Sequence, residues 1–102
     1  MLECLCVVIH LKLVMVLEWV DIGIICRKQK RYAEAIAEYR TALQLDPQYA
    51  DAHNNCGAAY YYMKRYDDAI AEYQTALRLD PNCPNAAANL KLAQDAKTKA
   101  GK

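Results

Sequence analysis

From Ala50 to Met63 small or apolar residues recur at Ala52, Cys56, Ala59 and Tyr60, and no proline interrupts them. That spacing predicts a helix with one packed face. Asp67 and Asp68 then open a second helix, whose first turn favours negative charge. On it Ala69, Ile70, Tyr73, Ala76 and Leu77 form one stripe of a 3.6-residue period. Asp80-Pro81 ends it, because proline cannot continue a helix interior and restricts the residue before it. The same order occurs upstream, with helices predicted over Val16 to Gln29 and Ala33 to Leu45 and a stop at Asp46-Pro47. Downstream, Pro84 to Lys102 is Ala-rich and predicts one further helix, with a lysine-rich end that suits a helix C-terminus.

The two halves are copies. Lys30 to Pro47 reads KRYAEAIAEYRTALQLDP and Lys64 to Pro81 reads KRYDDAIAEYQTALRLDP, identical at 14 of 18 positions and 34 residues apart. Gly23 and Gly57 fall in the middle of the first helix of each copy. A mid-helix glycine costs about 0.5–1 kcal/mol relative to alanine, so its repetition points to a close helix contact. Ala35 and Ala69 take the equivalent place on the second helices.

The segment Leu2 to Leu17 is apolar but interrupted by Glu3, His10 and Lys12. A membrane span needs about 20 residues with few charges, and Lys12 would cost roughly 2.5–3.5 kcal/mol in one. A secretory signal would begin with positive charge and end in small residues, and this segment does neither. It reads as a flanking segment, residues 1–15, that forms or extends an apolar helix covering the first repeat, or that pairs two chains through residues 2–17. One period upstream of Pro47 stands Leu13, so it is not another full repeat.

Composition narrows the function. The 102 residues carry 13 basic and 12 acidic side chains, and this balance argues against nucleic acid as a partner. The basic turns Arg27 to Arg31 and Lys64-Arg65 are each followed by acidic residues and read as solvated. The five cysteines, Cys4, Cys6, Cys26, Cys56 and Cys83, include no CxxC pair and match no zinc spacing. They read as small buried apolar residues of a reducing, cytoplasmic compartment, with no metal and no cofactor expected. His10 and His53 have no catalytic partner at a recognisable spacing, and no phosphate loop, nucleophile elbow or zinc motif occurs, so no enzyme is expected.

The period and these positions resemble the tetratricopeptide repeat (TPR) family, whose 34-residue signature runs Trp, Leu-Gly, Tyr, Ala, aromatic, Ala, Pro. The first copy, residues 16–49, matches it with Trp19, Ile22, Gly23, Ala35, Tyr39, Ala42 and Pro47, with Cys26 in place of tyrosine. The second, residues 50–83, matches with Gly57, Tyr60, Ala69, Tyr73, Ala76 and Pro81, with His53 and Cys56 in place of tryptophan and leucine. Residues 84–102 resemble the capping helix that closes such arrays. The resemblance implies an all-α fold, a right-handed superhelix of antiparallel helix pairs forming an α-solenoid with a concave binding face. It implies a protein–protein interaction module, a scaffold or adaptor of co-chaperone type that takes a peptide or partner segment on that face.

Residue by residue, the first helices then present Val20, Ile24 and Arg27 from the first copy, and Asn54, Asn55, Ala58, Tyr61 and Tyr62 from the second. Asn85 and Asn89 follow from the cap. Asparagines suit an extended backbone and tyrosines suit side-chain pockets; the asparagines equally suit bonds between repeats. The family's clamp for chaperone C-terminal carboxylates matches only at Asn55, since Val20, Ile24, Asn85 and Asn89 stand in its other places. Tight binding of such tails is not expected. A homodimer held through residues 2–17, or a membrane-associated adaptor using them, are the rival readings.

Overall fold

The computed structural model describes residues 2–100, with side chains from residue 14 onward. Five helices follow in order: α1 (Leu2–Lys28), α2 (Tyr32–Leu45), α3 (Ala50–Tyr62), α4 (Tyr66–Leu79) and α5 (Ala86–Ala100). No strand occurs among the described residues. Each helix packs mainly on its neighbours in sequence, and the stack is elongated, 60 × 29 × 17 Å. The result is an all-α solenoid.

Three interior clusters run along the stack. Tyr39 is wholly buried among Val16, Val20, Ala35, Ala42, Ala52 and Cys56, which joins α1, α2 and α3. Tyr73 does the same one repeat later, with Ile36, Ala59, Tyr60, Ala69 and Ala93. Ala50, Ala76, Cys83 and Ala86 form the third cluster, at the turn into α5. Gly23 and Gly57 face the rings of Tyr39 and Tyr73, so the repeated glycine serves a helix-to-tyrosine contact.

The turns repeat as closely as the helices. α1 ends in a Schellman arrangement: Arg31 N–H donates to Cys26 C=O at 2.9 Å and Lys30 N–H to Arg27 C=O at 2.9 Å. α3 ends likewise, through Arg65 to Tyr60 at 2.9 Å and Lys64 to Tyr61 at 3.0 Å. After α2 and α4, the Asp46 and Asp80 side chains accept from the backbone N–H of Gln48 (3.2 Å) and Asn82 (3.0 Å), closing the Asp-Pro turns.

Helices α2, α3 and α4 start within one residue of expectation. α1 runs unbroken from Leu2, so the flanking segment extends the first helix of the first copy, because no proline or glycine precedes Gly23 to stop it. α5 begins at Ala86 rather than Pro84, because Asn85 takes a left-handed φ of 67° in the turn. Among the described residues, no helix is long and apolar enough to cross a membrane.

Candidate functional site on the concave face

Helices α3 and α5 bring together one set of expected groove residues. Ala58, Tyr61 and Tyr62 of α3 and Asn89 and Leu92 of α5, with the edge of Tyr73, line a hollow of about 80 Å³. A drug-sized ligand needs a pocket of about 300–1,000 Å³, so this hollow suits one apolar side chain of a larger partner.

The hollow is aromatic because of a tyrosine cluster at its edge. Tyr62 stacks on Tyr32 with ring centres 5.5 Å apart, and Tyr61 meets Tyr62 and Tyr66 edge-on, each at 5.7 Å. Stacked and edge-to-face rings are favourable orientations and hold one another in place. Tyr62 is 54% exposed and Leu92 is 54% exposed, so apolar surface faces solvent at this point. Tyr32 and Tyr66 are absent from the expected set. Their signal is the third residue of KRY in both copies, but only the folded turn shows that they pack on the tyrosines lining the hollow.

The asparagines divide between two tasks. Asn54 donates to the Pro84 carbonyl (3.3 Å) and accepts from Asn89 (3.2 Å), tying α3 to α5. Asn55 is half-buried on α3. Asn85 is exposed in the turn before α5, off the helix face.

The first-repeat residues lie apart from the hollow. Val20 is 5% exposed, inside the Tyr39 cluster, and Ile24 packs half-buried against that cluster. Arg27 is half-buried, and its Nε and the Tyr39 hydroxyl are buried without hydrogen-bond partners. Burial pushes the Tyr39 phenol up, and the nearby Arg27 charge acts against that rise.

The remaining polar contacts are structural. His53 reaches the Glu72 carboxylate through Nδ1 (2.8 Å) and the Pro47 carbonyl through Nε2 (3.1 Å), joining α3 to α4 and to the turn after α2. On the same side Arg40 donates to the Tyr60 hydroxyl. Cys26, Cys56 and Cys83 are free thiols. Burial raises Cys56 to about 12 and, helped by the Asp51 carboxylate, Cys83 to about 11. Neither is a nucleophile at neutral pH. Among the described residues no group of three or more potential ligands could hold a metal ion.

A family model described as TPR repeat matches residues 23–64, and one described as tetratricopeptide repeat matches residues 50–83. No curated protein matches the chain. Among solved structures it is similar to the first TPR of Spaghetti (RPAP3), bound to the HSP90 peptide SRMEEVD. The TM-score is 0.80 at 26% identity, over 83% of this chain and 69% of that one. With the helix pairs, the 34-residue period and the glycine–tyrosine contact in both copies, these matches place the chain in the tetratricopeptide repeat family, a family of protein–protein interaction modules.

Proposed function

We propose that the chain binds an extended peptide along its concave face and seats an apolar side chain of that peptide between α3 and α5. The observation that carries this reading is the hollow lined by Ala58, Tyr61, Tyr62, Tyr73, Asn89 and Leu92. Its tyrosine rings supply rigid contact area at low entropic cost, and the amide of Asn55 stands on α3 to meet the peptide backbone. Toward the first repeat, Ile24 and Arg27 extend the same surface, and Val20 supports it from beneath. Asn54 and Asn89 hold the two helices at the spacing that opens the hollow. Such a module would act as an adaptor or scaffold, and its free thiols suit the reducing cytoplasm.

The similar RPAP3 domain is bound to an HSP90 peptide ending in EEVD. Here the first repeat offers Val20 and Ile24 where a carboxylate would need a cation and an amide, so affinity should not depend on a C-terminal carboxylate. The test is a peptide array probed with the wild type and with an Asn55→Ala/Tyr61→Ala variant of unchanged circular dichroism. The reading expects a set of apolar-containing peptides retained by the wild type and lost by the variant. Equal retention by both would refute it, as would tight binding of SRMEEVD that disappears on C-terminal amidation.

A further inference from the structure

The 34-residue period gives every residue of α3 a counterpart in α1, and the counterparts are not equally covered. In α3, Ala52, Cys56 and Ala59 are 0% exposed, in clusters to which α2 contributes. In α5, Ala86 and Ala93, one period after Ala52 and Ala59, are also 0% exposed, on the side of α4. The counterparts in α1 are Glu18, Ile22 and Ile25; Ile22 is 42% and Ile25 55% exposed, and Met15 beside them 45%. The face that every later repeat buries under the preceding second helix is therefore open on α1, and it is apolar. Isoleucines at such positions are costly to leave in water, since a fully buried one contributes roughly 1.5–3 kcal/mol.

Among the described residues no neighbouring turn closes this face. Later repeats turn at Pro47 and Pro81, but at the corresponding Leu13 helix α1 runs straight through. A second copy is open at both ends of its stack, since α1 packs mainly on α2 and α5 mainly on α4. α5 exposes Lys91 and Asp95 there, so the apolar match for α1 is the other copy's α1. Two copies of one surface meet about a two-fold axis. Met15, Glu18, Ile22 and Ile25 follow the alternating three- and four-residue spacing of a two-helix seam.

The charges choose the direction. Parallel pairing would set Glu18 against Glu18 in the seam, whereas antiparallel pairing centred on Met15 sets Glu18 against position 12, a lysine. It also sets Ile22 against position 8, a valine. We propose that the open face of α1 is a self-association surface, covered by α1 of a second copy running antiparallel about Met15.

Light scattering on the full chain tests this directly. The expected mass is twice the 11.6 kDa of one chain. Ile22→Glu/Ile25→Glu, at exposed positions, should give a monomer of unchanged helicity. Glu18→Lys should weaken the dimer by more than about tenfold, through like charges in the seam, and adding Lys12→Glu should restore it. A monomeric wild type overturns the proposal, as does a dimer that survives the isoleucine changes or a Glu18→Lys loss that Lys12→Glu leaves unrepaired. A monomeric wild type that floats with phosphatidylcholine vesicles would give the face to a membrane instead, and equally overturn it.

Discussion

A Cβ added to Gly57 would lie 2.6 Å from Cε1 of Tyr73, and one added to Gly23 would lie 2.5 Å from Cε1 of Tyr39. Two effects of opposite sign compete at these positions. Alanine is the better helix former by about 0.5–1 kcal/mol. Against that, Tyr73 is 2% exposed and boxed in by Ala59, Ala69 and Ala93, so its ring has little room to retreat. Overpacking a filled interior costs typically about 1–3 kcal/mol, and the clash wins. Gly57→Ala is expected to lower stability by about 1–2 kcal/mol in urea melts followed by circular dichroism. In a Tyr73→Leu background the same change should cost much less. An unchanged or higher midpoint for Gly57→Ala alone would show that the tyrosine moves freely.

At the level of the helix, the C-terminal ends carry a residue that the backbone does not favour. Lys30 and Lys64 both sit at φ 64°, where glycine is the usual occupant of a Schellman turn. An L-residue there costs roughly 1–2 kcal/mol, partly offset by the greater freedom glycine has when unfolded. Lys30→Gly and Lys64→Gly are each expected to raise stability by about 0.5–1 kcal/mol, read as a later denaturant midpoint with an unchanged slope. A loss of stability at either site would mean that the lysine side chain makes a contact worth more than the strain.

These ends also show where sequence reading reached its limit. Asp46-Pro47 and Asp80-Pro81 announce the ends of α2 and α4 because proline forbids continuation. The ends of α1 and α3 carry no glycine, so the basic KR pair reads as a solvated turn and conceals the left-handed lysine. The helix faces, a close contact at each mid-helix glycine, whose tyrosine partner only the fold shows, and the family follow from periodicity and duplication. The start of α1 does not, since an apolar run without breakers has no internal mark of where a repeat begins. In the groove, Ala58, Tyr61, Tyr62 and Asn89 follow from the repeat register and line the hollow. Tyr32 and Asn85 depend on how the turns set the chain, a tertiary effect that local spacing does not encode.

Across the whole molecule the interior is a line of three small clusters, and each helix depends on its neighbours. Stability in such an array sums local pair and interface contributions, so a stress acting on all clusters at once should unfold it readily. Alkaline pH is that stress. Burial raises Tyr39 in the first cluster, Cys56 there to about 12, Tyr73 in the second, and Cys83 in the third to about 11. Each is an acid held neutral by the fold. Above its ordinary value, 9.0 for cysteine, the unfolded chain loses the proton while the folded chain keeps it, so the unfolded state gains. The stabilisation that comes from neutrality is full below pH 9 and shrinks as pH rises toward 11 for Cys83 and 12 for Cys56. For each group the loss approaches about 1.4 kcal/mol per pH unit inside its window. Urea melts should therefore give a constant midpoint from pH 7 to 8.5 and a steep fall by about pH 10.5. Cys56→Ala/Cys83→Ala should flatten the early part of that fall and leave the later, tyrosine-driven part. A midpoint that stays level through pH 10.5 in the wild type would mean that these clusters open to water far more easily than their burial implies.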